Sequence, residues 1–283
     1  MSSTFLRKFT THRENSQKLV FSLVFSCFLT LYFRLKNTDV ERNGLKMQKM
    51  MGMVRRCVDD YKMIQANDRI AVGLSGGKDS IALLALLAAM REYYPLPYEL
   101  TAISIDLGFG MDFSPIARQC EQWGVPFKVV QTQIAPIIFD YRKEKNPCSM
   151  CAKMRRGALN QALLDQGFSK IALGHHYDDA VETFLMNLLY EGRIGCFQPV
   201  TFLDRTGVTQ IRPMMYLSEK TITHFVEREG LPIVHNRCPV DKRTKRQETK
   251  DLIADLQLRY PDLKNRIFGA MQRLPLPEWE VLR

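Results

Sequence analysis

From about Met47 onward, apolar and polar positions fall into a regular alternation of short apolar runs and longer periodic stretches. Arg69–Leu74 (RIAVGL) is a short run that predicts a buried strand. It passes directly into SGGKDS and then into IALLALLAAMREYY, which is apolar and long enough for a buried helix. Leu100–Ile105 predicts a second strand, Pro115–Trp123 a helix and Pro126–Val130 a third strand. Cys151–Asp165 reads as helical, with Met154, Ala158 and Ala162 spaced by four. Lys170–Leu173 predicts a fourth strand that leads into the helix DDAVETFLMNLLYEG. After Gly207 come a strand, VTQIRPM, a helix over Ser218–Glu229 and two helical stretches near the C-terminus. Strands alternating with helices predict an α/β fold: a doubly wound, mostly parallel sheet with helices on both faces and a helical C-terminal extension. No internal repeat is visible.

Residues 1–46 differ from the rest. Leu19–Phe33 (LVFSLVFSCFLTLYF) is an apolar run preceded by Arg7, Lys8, Arg13 and Lys18. That order is similar to the basic and apolar regions of a signal peptide, but no small-residue cleavage site follows. The run is shorter than the ~20 residues a membrane span needs. The expectation is therefore a basic, apolar tail that precedes the natural start at Met47, Met50, Met51 or Met53. A signal anchor is the alternative, and a membrane contact is expected only if the tail is retained.

Composition sharpens this picture modestly. An apolar content of 46% suffices for a real core. The formal charge is +10, and residues 1–46 hold eight Lys/Arg against three Asp/Glu, so half of that excess lies in the tail. The moderately basic remainder suits a polyanion such as RNA and equally suits plain solubility. Seven cysteines at irregular spacing argue against a disulfide framework and for a reducing, cytoplasmic setting.

The chemistry concentrates in three places. Ser75-Gly76-Gly77-Lys78-Asp79-Ser80 joins a strand to a helix. Glycines there let backbone N–H groups approach an anion, the helix N-terminus favours negative charge, and Lys78, Ser75 and Ser80 supply donors. The loop is not of the G-x-x-x-x-G-K-[ST] type. Gly174-His175-His176-Tyr177-Asp178-Asp179 follows the fourth strand, where ligands enter the crevice of such sheets. Asp178 and Asp179 serve either as helix caps or as Mg²⁺ ligands beside a phosphate. Cys148 and Cys151 form a C-x-x-C, and Cys238 lies far downstream in HNRCP. On the residues alone three readings stand: zinc held by Cys148, Cys151, His235 and Cys238; a redox dithiol; or an iron–sulfur cluster on three cysteines. Cys57 and Cys120 read as small buried hydrophobes.

SGGKDS resembles the loop of the PP-loop ATP pyrophosphatases. Together SGGKDS, PCSMCAKMRRG, LGHHYDD and the late Cys-Pro resemble the tRNA 2-thiocytidine synthetase (TtcA-like) family, over about Asp68–Arg273. That resemblance implies the adenine nucleotide alpha-hydrolase type of sheet. It also implies that ATP is cleaved between its α- and β-phosphates to adenylate the C2 oxygen of a cytidine in a tRNA anticodon loop, which sulfur then replaces. It places ATP at Ser75–Ser80, Asp106, Gly174, His175 and Asp178, with Lys78, Asp79 and Asp179 acting in catalysis and Mg²⁺ as the metal. A [4Fe–4S] cluster would sit on Cys148, Cys151 and Cys238, with zinc as the alternative. Arg155 and Arg156, with the run Lys242-Arg243-Lys245-Arg246, are expected to meet RNA phosphate. The implied partners are tRNA, a sulfur donor such as a cysteine desulfurase, and a second copy in a homodimer. The domain organisation expected is a tail over 1–46, an ATP-binding domain with the C-x-x-C over 47–230, and a C-terminal segment over 231–283 with Cys238 and helices.

The chain departs from the family pattern in having His235 where many members carry a further cysteine, which keeps zinc open. A lysidine-type enzyme would need no cysteine triad, and a two-zinc-finger uridine thiolase would need C-x-x-C pairs that are missing. The rival of another class is a nucleotide-binding sensor without catalysis.

Overall fold

The computed structural model describes residues 47–142, 147–234, 238 and 245–273, all within one unit, Lys46–Arg283. The reading of the tail therefore lies outside the described residues. Helix α1 (Met47–Asp60) comes first; its Met50, Val54, Cys57 and Val58 recur at three and four residues and are buried. The amphipathic spacing explains this helix, although the apolar runs further on overshadow it.

Strand β1 (Asp68–Leu74) and helix α2 (Lys78–Met90) flank the SGGKDS loop. Ile81, Leu83, Leu84, Leu86 and Leu87 of α2 are fully buried, each contributing roughly 1.5–3 kcal/mol by leaving water. Then follow β2 (Tyr98–Asp106), α3 (Ser114–Gln122) and β3 (Phe127–Gln131). A short helix, Ile134–Pro136, runs into a π-helical turn, Ile137–Tyr141. Helix α4 spans Pro147–Asp165, β4 Lys170–Ala172 and α5 Tyr177–Glu191. The remaining elements are β5 (Val200–Leu203), β6 (Val208–Ile211), α6 (Glu219–Glu229), α7 (Lys245–Arg259) and α8 (Leu263–Arg273).

The six strands form one sheet in the order β3-β2-β1-β4-β6-β5. β5 pairs antiparallel with β6, and every other neighbour pair is parallel. The mostly parallel α/β sheet is thus as expected. Two differences stand out. The run VTQIRPM yields only four strand residues: the Arg212 N–H still meets the Pro199 carbonyl opposite it, but Pro213 has no N–H to carry the ladder on. The edge strand β5 was not foreseen. It is half-buried with Phe202 exposed, so it lacks the apolar run that marked the central strands.

Chain order reverses between β1 and β4. Strands β2 and β3 lie on one side of that line and β6 and β5 on the other, so a crevice opens at the carboxyl ends of β1 and β4. Helix α4 lays Met150, Cys151, Met154, Ala158 and Leu159 against a core cluster that includes Leu163, Phe168, Ile171 and Ile103. Cys151 is half-buried because it shares that stripe. Cys148, one turn earlier, is exposed.

Candidate functional site

The crevice is floored by the loop after β1. Gly76 has φ +87°, a backbone state that favours glycine, and a Cβ there would stand 3.1 Å from the Val234 carbonyl oxygen. Gly77 is the N-cap of α2, with no side chain capping the helix. The loop is braced internally. The Ser80 hydroxyl donates to the Gly77 carbonyl (2.9 Å) and accepts from the Ser75 N–H (3.1 Å). The Gly77 N–H donates to the Ser75 hydroxyl (3.3 Å). Ser80 therefore shapes the loop that presents the backbone N–H groups of a helix N-terminus.

The loop after β4 closes over it. A Cβ on Gly174 would meet the Asp79 backbone at 3.1 Å, so glycine allows this approach without a shift of the α2 backbone. His176 caps α5: its Nδ1 accepts from the Asp179 N–H (3.4 Å) while its own N–H donates to the Asp179 carboxylate (3.0 Å). With Nδ1 accepting, the proton resides on Nε2, which lies 3.4 Å from Asp179 and 3.8 Å from Asp79. His175 packs on the Phe197 ring at 4.9 Å, and its buried Nδ1 has no hydrogen-bond partner. Burial, and then the Arg212 guanidinium, hold His175 well below the ordinary imidazole value, so it is neutral.

The acids divide into two kinds. Asp106 is buried at the end of β2 and accepts from the Gly108 N–H (3.0 Å). Asp178 is buried too, but it faces the helices: it accepts from the Glu219 N–H at the start of α6 (2.6 Å) and from Lys264 of α8 (2.7 Å). Asp79 and Asp179 face the crevice and meet cations there. The Lys78 ammonium lies 2.9 Å from Asp79 and 3.1 Å from Glu219. Burial lowers the Lys78 pKa, but these carboxylates outweigh it and the net direction is upward. A cleft of about 590 Å³ opens nearby between α5, α6 and α8, lined by residues including Asp178, Glu219, Lys220 and Lys264. Neither the phosphate loop nor the thiols line it.

Two basic residues expected at an RNA surface are placed otherwise. Arg246 turns inward, 2.8 Å from Asp179 and 3.2 Å from Glu182, because two carboxylates in the crevice outbid solvent. Arg155 is half-buried beside Cys151, where burial lowers its pKa and the nearby sulfur raises it. Arg156 is exposed, and Lys245 lies over the Tyr190 ring (4.6 Å). Lys242 and Arg243 lie outside the described residues. Glu182, Glu219 and Lys250 were missed in the sequence. Glu182 carried a signal, since it follows Asp178 by one helical turn in DDAVETF.

None of the six described cysteines is in a disulfide. Three are inert. Burial pushes Cys57 up to about 12 and Cys120 up to about 11. Cys196 is likewise pushed up to about 11, and its thiol donates to the Ala180 carbonyl. The other three stand apart from these. Cys151 lies within electrostatic reach of both Cys238 and Cys148; burial raises its pKa and Arg155 lowers it. No three His, Cys, Asp or Glu side chains among the described residues already converge at metal-binding distance. The donor set nonetheless fits a [4Fe–4S] cluster: three soft thiols on two segments, one exposed and two half-buried, with a guanidinium beside them. His235, the fourth ligand of the zinc reading, lies outside the described residues. The chain leading to Cys238 is anchored on the phosphate loop itself, since the Val234 N–H donates to the Gly76 carbonyl at 2.9 Å.

Comparison with known proteins agrees with this geometry. Residues 46–255 match the family described as the PP-loop domain. The tRNA-cytidine(32) 2-sulfurtransferase of Syntrophotalea carbinolica is 36% identical over 230 residues, 80% of this chain and 88% of that protein. The protein of the same name from Salmonella newport is 36% identical over 246 residues, covering 84% and 78%. Among solved structures, the U34-tRNA thiolase NcsA from Methanococcus maripaludis, with its [4Fe–4S] cluster, shares the fold. Its TM-score is 0.65 at 24% identity, with 83% of this chain and 85% of that one covered. Among the described residues no helix is long and apolar enough to cross a membrane. A phosphate loop at the switch point of a mostly parallel sheet, a thiol-bearing segment tied to it through Val234 and relatives of this similarity lead to one conclusion: the chain belongs to the PP-loop family, alongside the tRNA-cytidine(32) 2-sulfurtransferases.

Proposed function

We propose that this protein is an ATP-dependent tRNA thiolase that adenylates the C2 oxygen of a cytidine in the anticodon loop and replaces that oxygen with sulfur. The observation that carries this reading is the junction of the two chemistries. One hydrogen bond, from Val234 to Gly76, ties the chain running into Cys238 to the loop that would hold ATP. The names of the relatives supply the base and the product.

The α2 N-terminus and the N–H groups of Ser75–Ser80 receive the phosphates. Lys78 leaves Asp79 and Glu219 to neutralise them, and Asp79 and Asp179 take Mg²⁺, which prefers carboxylate and phosphate oxygens. Asp106, Gly174 and neutral His175 line the nucleotide, while Asp178 holds α5, α6 and α8 in register around it. The target base is unstacked to enter the crevice. Its C2 oxygen attacks the α-phosphorus, the bond to the β-phosphate breaks, and the electron pair leaves with pyrophosphate. Cys148, Cys151 and Cys238 would hold a [4Fe–4S] cluster, which would supply the sulfide that bonds to C2 as the C2–O bond breaks. AMP then departs with the former C2 oxygen. Arg155 stabilises negative charge at Cys151, and exposed Arg156 contacts RNA phosphate. A cysteine desulfurase as sulfur donor, a homodimer and a cytoplasmic setting complete the proposal.

The test is mass spectrometry of nucleosides from bulk tRNA of cells with and without the gene. The expected result is loss of 2-thiocytidine alone, restored by the wild-type gene and not by Lys78→Ala. Unchanged 2-thiocytidine with loss of a different thio- or amino-modified base would retain the ATP chemistry and overturn the substrate. No change in any nucleoside would overturn both.

A further inference from the structure

Helix α7 brings two cations to the crevice that the reaction above does not use. Arg246 Nη1 lies 2.8 Å from Asp179 Oδ1 and 3.2 Å from Glu182 Oε2, and Nη2 donates to the Thr183 hydroxyl (3.3 Å). Lys250 Nζ lies 2.9 Å from Glu219 and 3.7 Å from Glu182. Glu219 in turn holds Lys78 (3.1 Å), and Lys78 holds Asp79 (2.9 Å). His176 Nε2 stands between Asp79 and Asp179. These contacts form a closed ring of Lys78, Glu219, Lys250, Glu182, Arg246, Asp179, His176 and Asp79, in which cations and carboxylates alternate except where His176 bridges Asp179 and Asp79.

In such a ring each carboxylate has a cation or an imidazole beside it when no nucleotide is present. Mg²⁺ and a triphosphate bring the same two kinds of charge, so their arrival exchanges partners: metal to carboxylate, phosphate to cation. Arg246 is placed for that exchange. Its anchor, Glu182, has a side chain only 4% exposed, whereas the Arg246 side chain is 41% exposed and opens onto the crevice. When Asp179 turns to the metal, Arg246 keeps Glu182 and Thr183 and retains N–H donors in a planar fork that matches phosphate oxygens.

We propose that Arg246 is a further phosphate-binding residue of the adenylation step, delivered by α7 and positioned by Glu182 and Lys250. As the new oxygen–phosphorus bond forms and the α–β bridging bond breaks, the guanidinium neutralises the pyrophosphate that takes the electron pair. This assignment rests on the proposed ATP chemistry and moves Arg246 from an RNA surface into the nucleotide site.

The experiment compares binding of Mg²⁺ with α,β-methylene-ATP, and of AMP, to the full-length wild type and to Arg246→Ala by calorimetry. A contact with the outer phosphates predicts that the variant weakens the triphosphate about 10- to 100-fold and leaves AMP within about twofold. Equal weakening of both ligands would mean that Arg246 only holds the fold, and unchanged triphosphate affinity would mean that it touches no phosphate. Either outcome overturns the proposal. If Arg246→Ala does not fold, Arg246→Gln is read by the same rule, since it keeps the bulk and a donor for Glu182. A wild type that binds no Mg²⁺–triphosphate would instead overturn the ATP chemistry and this inference with it.

Discussion

The phosphate side and the thiol side of the crevice are built in opposite ways. On the phosphate side the groups are held by one another. Gly174 abuts the Asp79 backbone, His176 and Asp179 cap each other, and the charges close into a ring. On the thiol side Cys148 is exposed at the first turn of α4 and Cys151 rests on the core only through its neighbours on the helix stripe. The first region is ordered by its own hydrogen bonds before any ligand arrives. The second presents donors whose common partner would be a metal group. The difference teaches that binding nucleotide and holding a cluster are separable properties, joined through Val234, Gly76 and the short chain to Cys238.

The sharpest way to break that comparison is a pair of substitutions. Lys78→Ala should lower ATP–pyrophosphate exchange by about 10²- to 10³-fold, the scale of losing one charged stabiliser of a transferring phosphoryl group, with iron content unchanged. Cys238→Ala should do the reverse, losing bound iron while retaining exchange to within a few-fold. Exchange and iron are measured on the same anaerobic preparations. If Cys238→Ala abolished exchange as fully as Lys78→Ala, the two regions would be one cooperative site and the comparison would fail.

These two residues also show what was legible in the sequence. Lys78 and the C-x-x-C are readable because local spacing carries their meaning: a loop between strand and helix, and two sulfurs one turn apart. The central strands and α2 were readable because they are continuously apolar, as strands and helices buried on all sides must be. The ring was not readable. Arg246 finds its acids on α5, more than sixty residues earlier in the chain, and a basic run looks the same whether it faces RNA or a carboxylate. The edge strand β5 and helix α1 were missed because half-buried elements show weaker apolar contrast.

A smaller effect sharpens the rigidity of the phosphate side. Gly174→Ala places a methyl group 3.1–3.2 Å from the carbonyl carbon, the carbonyl oxygen and the following nitrogen at Asp79–Ser80. All three are backbone atoms of α2 and cannot swing aside. The cost should be about 1–3 kcal/mol in unfolding free energy, as for other overpacked sites, together with weaker triphosphate binding. Gly52→Ala on α1 is the contrast. Nothing lies within 4 Å of its added methyl, so it should stabilise by about 0.5–1 kcal/mol. Urea unfolding of the two variants decides the matter, and equal shifts in the same direction would remove the steric argument.

The smallest expected effect is in pH dependence, where the two acids that share Lys250 should act in opposite directions. Glu219 is opposed by burial, yet Lys250 and Lys78 hold it down to about 2, below its ordinary 4.5. Its stabilising contribution is present above 4.5 and is lost as pH falls toward 2. Glu182 is pushed up to about 7 by burial, although Lys250 and Arg246 pull the other way. The folded state therefore binds its proton more tightly than the unfolded chain does, so stability falls as pH rises from 4.5 to about 7. Glu219 is about a third exposed (34%), and solvent screens its share. Denaturant midpoints across this range should show Glu219→Gln flattening the acid limb and Glu182→Gln flattening the decline toward neutrality. If both variants instead ran parallel to wild type, the ring would be a set of independent surface pairs. The phosphate side would then be no more preorganised than the thiols.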